Sequence, residues 1–141
     1  MAASFSLKII TPDKVFFDGE TTQVIVRTTE GDIGILAHHI SLVASLPSGP
    51  VRIMKSDGSW QTAAVSNGLI KVGGNKVNIF VDAIEWADDI DVARAKHAEE
   101  IAKERMRQNR SRREMDLAEL KLKRALNRIS VHNTYSSSGR N

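Results

Sequence analysis

Three stretches of this chain carry residue types that could do chemistry. Glu30-Gly31-Asp32-Ile33-Gly34-Ile35-Leu36 has the glycine content of a phosphate loop. It lacks the Lys-Ser/Thr pair that would grip a phosphate and precedes no helix start, so it reads as a turn. His38-His39 offers two imidazoles, but adjacent side chains seldom converge and no third ligand is suitably spaced, so no metal is expected. The third set is Arg94, Arg124 and Arg128. Arg124 and Arg128 lie four apart, on one face of any helix that contains them. If the chain around them closes as an antiparallel hairpin, Arg94 falls near the same end. Three clustered guanidiniums repel unless an anion joins them, and their forked donors match phosphate oxygens. The plainer reading, which composition favours, is a set of surface arginines paired with Asp88, Asp89 and Asp91. No Ser–His–Asp arrangement or isolated carboxylate pair is recognisable, and no catalytic residue is assigned.

The elements that must position these residues are of two kinds. Eight of the nine glycines and all three prolines precede position 75. Residues 1–86 hold seven Lys/Arg against eight Asp/Glu, and residues 87–141 hold thirteen against nine. The boundary therefore falls near Glu85–Asp89. Before it, Phe5–Ile9 alternates apolar and polar, Val15–Phe17 precedes the Asp18-Gly19 turn, and Thr22–Arg27 is β-branched. Val51–Lys55 and Trp60–Val65 flank Asp57-Gly58, the form of a hairpin. Leu69–Val72 and Val77–Val81 flank Gly73-Gly74-Asn75 in the same form. Short strands with frequent glycine turns, and no strand–helix alternation, predict a sandwich or flattened barrel.

Beyond the boundary, Asp88, Asp89 and Asp91 mark a helix start. Ala95, Ala98, Ala102 and Met106 form a narrow stripe of mostly small residues. Gln108-Asn109-Arg110 breaks it, and Ser111-x-x-Glu114 has the form of a capping box that opens a second helix. Met115, Ala118, Leu122, Ala125/Leu126 and Ile129 give that helix one apolar face. The tail from Thr134 is expected to fray. The boundaries predicted are a β domain at 1–86, a helical hairpin at 87–133 and a disordered tail at 134–141.

Composition limits the function classes. The chain has 141 residues, 41% hydrophobic and 26% charged, as globular proteins do. No apolar run reaches about eighteen residues, so direct membrane insertion is not expected. The first residues lack a basic then apolar leader, so secretion is not expected. Zero cysteines exclude thiolate chemistry and disulfides. The net charge of +3 gathers on the helices. A solvated face, a nucleic acid or an acidic protein partner all fit it, although no aromatic lies between Ala87 and Thr134 to stack bases.

Four stretches taken in order carry a resemblance. They are Glu30–Val43, Ala64–Val72 with Lys76–Val81, Asp89-Ile90-Asp91-Val92-Ala93-Arg94-Ala95, and Leu122–Val131. Together they resemble the epsilon subunit of bacterial F-type ATP synthases over nearly the whole chain. The resemblance implies a ten-stranded β-sandwich followed by a C-terminal two-helix hairpin. It implies a non-catalytic rotor subunit of the central stalk, peripheral on the cytoplasmic side of the cell membrane. Its partners would be the gamma subunit and the c-subunit ring, with alpha and beta subunits met when the helices extend. The β domain would help couple proton transport to ATP synthesis, and the helices would restrain ATP hydrolysis. No cofactor is required, and ATP is implied as a regulatory ligand of the closed hairpin. Matched by position, Glu85, Ile90, Asp91, Arg94, Ala95, Arg124 and Arg128 would line that ATP site. Arg112, Arg113, Lys121 and Lys123 would make the inhibitory contact with acidic beta-subunit segments. Ala37-His38 stand where the family usually has Pro-Gly, and Ile101 stands where tight ATP binders commonly have Arg. The alternative from another class is a nucleic-acid-binding adaptor that uses the basic hairpin.

Overall fold

A computed structural model describes residues 2–108 and 111–137. The chain divides into two compact units, the first ending at Trp86 and the second beginning at Ala87.

The first unit has eight strands: β1 (Phe5–Ile10), β2 (Val15–Thr21), β3 (Gln23–Thr28), β4 (Gly31–Leu36), β5 (Leu42–Leu46), β6 (Gly49–Met54), β7 (Trp60–Gly73) and β8 (Lys76–Trp86). Their order is β2-β1-β8-β7-β6-β3-β4, with β5 paired to β7. The β1–β8 pair is parallel and the remaining pairs are antiparallel. Alternate residues point inward, as the period of a strand requires. Phe5, Leu7 and Ile9 of β1 meet Val24 and Val26 of β3, Ile35 of β4, Ile53 of β6 and Ile79 of β8 in one buried cluster. Each such side chain contributes about 1.5–3 kcal/mol on burial. At the end of β8, Trp86 packs on Phe16, their ring centroids 4.6 Å apart.

The strand count is eight where ten were expected, and the expected break between Val65 and Leu69 is a corner within one strand. β6 pairs with Trp60–Val65 of β7, and β5 with Gly68–Val72. Between them Asn67 takes a left-handed conformation, φ 47°, so β7 turns without losing its ladder to β8. One continuous strand thus serves both halves of a β-sandwich-like sheet. A second expectation also changes. Residues 31–36 form a strand paired with β3, not a turn. The turn precedes it, where the Thr28 hydroxyl donates to the Gly31 carbonyl at 2.7 Å. Ile33 and Ile35 alternate with Asp32 and Gly34, and the glycines mask that period.

The second unit contains a 3-10 turn, Ala87–Asp89, then α1 (Val92–Arg107) and α2 (Arg112–Tyr135). Asp91 caps α1: its Oδ1 accepts from the Arg94 N–H at 3.1 Å. Ser111 caps α2, its hydroxyl accepting from the Glu114 N–H at 3.2 Å. The seam between the helices is alanine: Ala95, Ala102, Ala118 and Ala125 are at most 3% exposed. Helix α2 runs two residues past the expected end at 133. Residues 134–137 are not frayed, since Thr134 and Tyr135 are helical, Ser136 is fully buried and the Ser137 N–H donates to Asp88. A tertiary partner holds them, which the run of serines does not reveal. Residues 138–141 of the expected tail lie outside the described residues.

Candidate functional site on the helical hairpin

The hairpin carries a groove of about 360 Å³ between α1 and α2. Arg105 from α1 and Lys121, Arg124 and Arg128 from α2 line it over Ala98, Ala102 and Ala125, together with Ile101. The spacing of these residues explains the convergence. Lys121, Arg124 and Arg128 recur at steps of three and four on one face of α2. The small alanines of the seam keep the helices close and leave room above them. Arg105, Lys121, Arg124 and Arg128 bring four positive charges to one lining, which suits it to a multiply charged anion. A second cavity, of about 530 Å³ near the helix–helix connection, is lined by Glu104 and Glu114 as well as Arg105, so its charge is mixed.

The expected ATP-site residues are distributed as follows. Arg124 and Arg128 share the groove and are half-buried. Ile101 shares it too and is 39% exposed. Ile90 and Ala95 are buried, while Asp91 and Arg94 are exposed near the start of α1 and are not among the residues lining the groove. One Asp91 oxygen is already engaged as the helix cap. Glu85 belongs to the first unit, on β8 opposite Ala64. Of the expected inhibitory residues, Arg112, Arg113, Lys121 and Lys123 are all exposed on α2, and Lys123 pairs with Glu119 at 3.4 Å. Solvent screens such a pair, so it holds the lysine only weakly.

His38 and His39 have structural surroundings. His38 adopts φ 64°, and its N–H donates to Asn75 Oδ1 at 2.9 Å. His39 Nδ1 lies 2.7 Å from the Ile40 carbonyl and so is the donor there. Among the described residues, no group of three or more His, Cys, Asp or Glu side chains could hold a metal. Among the described residues, no helix is long and apolar enough to cross a membrane. Sequence reasoning placed Asp88 at a helix start and beside surface arginines and assigned His132 no role, whereas their observed partners lie 49 and 45 residues away along the chain. No local pattern signals contacts of that range.

A β-sandwich-like unit joined to a two-helix unit with a basic groove defines the class: a two-part protein of a strand unit followed by a basic helical hairpin. Comparison with known proteins narrows it. The family model for the ATP synthase delta/epsilon chain β-sandwich domain matches residues 4–87, and that for its long α-helix domain matches residues 88–133. The ATP synthase epsilon chain of Ruminococcus albus is 47% identical over 132 residues, spanning 93% of this chain and 98% of that protein. That of Caldanaerobacter subterraneus subsp. tengcongensis is 40% identical, spanning 96% and 98%. A chain in the cryo-EM structure of Euglena gracilis mitochondrial ATP synthase (OSCP/F1/c-ring) shares the fold with a TM-score of 0.76 at 22% identity, covering 87% of this chain and 78% of that one. The chain belongs to the ATP synthase epsilon family. It is a non-catalytic stalk subunit of ATP synthase. The nucleic-acid adaptor reading gains no support from these comparisons.

Proposed function

We propose that the two units divide the work of a regulatory rotor subunit. The first unit binds the gamma subunit and the c-ring at the cytoplasmic face of the cell membrane and helps couple proton transport to ATP synthesis. Leu36, Ile40 and Val43, 57%, 80% and 68% exposed within one short stretch, supply apolar surface suited to a protein partner. The second unit restrains ATP hydrolysis when its helices separate and extend along gamma toward the alpha and beta subunits. ATP, held between the helices, favours the closed hairpin to the extent that it binds that form better.

The observation that carries this reading is the alanine seam. Four alanines bury little apolar area, so separating α1 from α2 costs far less than opening the sandwich core. Arg112, Arg113, Lys121 and Lys123 of α2 are exposed, within reach of an acidic partner. Truncation after Trp86 tests the assignment. Because Trp86 packs on Phe16 and Phe17, the cut follows it. The shortened chain is expected to fold and assemble but to leave hydrolysis unrestrained, as measured by ATPase rates of the reconstituted complex. Restraint equal to that of the full chain overturns the helical brake.

A further inference from the structure

The open end of the hairpin is tied by contacts that neither helix needs for its own hydrogen bonding. Asp88, in the 3-10 turn before α1, accepts through Oδ1 from the Ser137 N–H at 2.7 Å and from the Ser137 hydroxyl at 3.1 Å. Less than two turns earlier on α2, His132 Nδ1 lies 3.0 Å from the Ala87 carbonyl oxygen. A carbonyl only accepts, so Nδ1 carries the hydrogen. Around these contacts Ala87, Ile90, Val131 and Ser136 are at most 5% exposed. The end of α2 is itself closed by the Ser136 N–H donating to the His132 carbonyl at 3.0 Å, so the ties to residues 87 and 88 are additional.

We propose that Asp88 and Ala87 latch the end of α2, through Ser137 and His132, and that this latch rather than the alanine seam sets how readily the hairpin opens. A carboxylate accepting from an N–H and a hydroxyl makes charge-assisted bonds, stronger than neutral ones. The seam is built mainly on alanines, which bury little area each. The hairpin therefore opens from its free end, and the latch must break before α2 can leave α1. Its consequence for hydrolysis rests on the brake reading above, whereas its existence does not.

Hydrogen exchange on the full chain tests it. Asp88→Ala combined with His132→Phe should speed exchange of the last three turns of α2 about tenfold or more, as loss of bonds to a charged acceptor implies. Strand amides of the first unit should be unchanged. Asp88→Asn, which keeps an acceptor oxygen, should give a smaller increase. Exchange within about twofold of wild type in the double variant overturns the latch. Should that variant lose its helices altogether, Ser137→Pro decides. It deletes only the donors at 137, and Ser136 already has the extended backbone that a following proline requires. Faster exchange at the end of α2 then supports the latch, and wild-type exchange overturns it. ATPase rates with Asp88→Ala separate the two readings. Faster exchange with deeper inhibition supports both, and faster exchange with unchanged inhibition keeps the latch and overturns the brake.

Discussion

Gly68 stands directly opposite Val81 in the β7–β8 pair, and the space a side chain at 68 would need is already filled. A Cβ there would lie 2.7 Å from Val81 Cγ1 and would run into the Phe80 carbonyl. This close approach follows the left-handed Asn67, so both residues serve the corner at which β7 passes from β6 to β5. Gly68→Ala must displace backbone, not a flexible side-chain tip. It is expected to destabilise the first unit by about 1–3 kcal/mol, read as a lower denaturant midpoint with the slope unchanged. A midpoint equal to wild type would show that the corner can give.

Arg27 and Asp32 pair across β3 and β4, with Nε to Oδ1 at 2.9 Å. The hydrogen bond from Arg27 is the main cause that lowers the Asp32 carboxyl below its ordinary 3.8; burial opposes it, and the charges of Arg27 and Arg52 add to the lowering. A lowered folded-state value means stability fully present above the unfolded value and lost as pH falls through the folded one. Both side chains are about half exposed, so solvent screening limits the contribution to about 0.2–1 kcal/mol. Asp32→Asn should remove that amount at neutral pH and flatten the acid limb of the stability curve below about pH 4. An acid limb identical to wild type would mean that the pair adds nothing.

Much of the fold is legible because local chemistry and tertiary structure agree. Asp57-Gly58 and Gly73-Gly74-Asn75 close hairpins where the pattern says they should, with Gly58, Gly74 and Asn75 at positive φ. Ser111 caps α2 as the Ser-x-x-Glu spacing implies. The failures have a common cause. Asn67-Gly68 is the pair that ends strands in hairpins, and here it only bends one, because β8 continues alongside. Residues 134–137 look like a loose tail until Asp88 is in place. For the candidate site, helical spacing correctly joins Arg124 to Arg128, but it cannot give the rotation of α1 against α2. That rotation brings Arg105 into the groove lining, and Arg94 is absent from that lining.

The alanine seam predicts a separation of effects between the units. Ala102 is 1% exposed, and Ala102→Leu adds volume where the helices meet. Overpacking of this kind costs about 1–3 kcal/mol, borne by the hairpin alone. Amide exchange in α1 and α2 should quicken while strand amides keep their wild-type protection, and inhibition of hydrolysis should deepen if opening is the restraining step. Unchanged exchange in the helices would mean that the seam has slack.

Arg112, Arg113, Lys121 and Lys123 are exposed on α2, and their replacement by Ala leaves the seam intact. If attraction to acidic segments of the beta subunit holds the extended form, the fourfold variant should inhibit less than wild type. Added salt should weaken wild-type inhibition more than that of the variant, because screening acts on the charges the variant lacks. ATPase assays at low and high ionic strength decide this. Equal inhibition by both chains in both salts would place the restraint in shape rather than charge.

Nucleotide binding is read most directly by calorimetric titration of ATP into the full chain. Arg124 and Arg128 face the same groove, so Arg124→Ala and Arg128→Ala should each weaken binding about tenfold or more by removing a charged donor to phosphate. Ile101 occupies the groove with a side chain that offers phosphate nothing, and Ile101→Arg should tighten binding by a similar factor. Arg94 is absent from the lining, so Arg94→Ala discriminates two arrangements. Lost affinity would mean that the site extends from the groove to the start of α1, as the family resemblance implies. Unchanged affinity would confine the anion to Arg105, Lys121, Arg124 and Arg128. Wild-type binding weaker than about a millimolar would remove ATP from the mechanism and leave the hairpin to its latch and its protein partners.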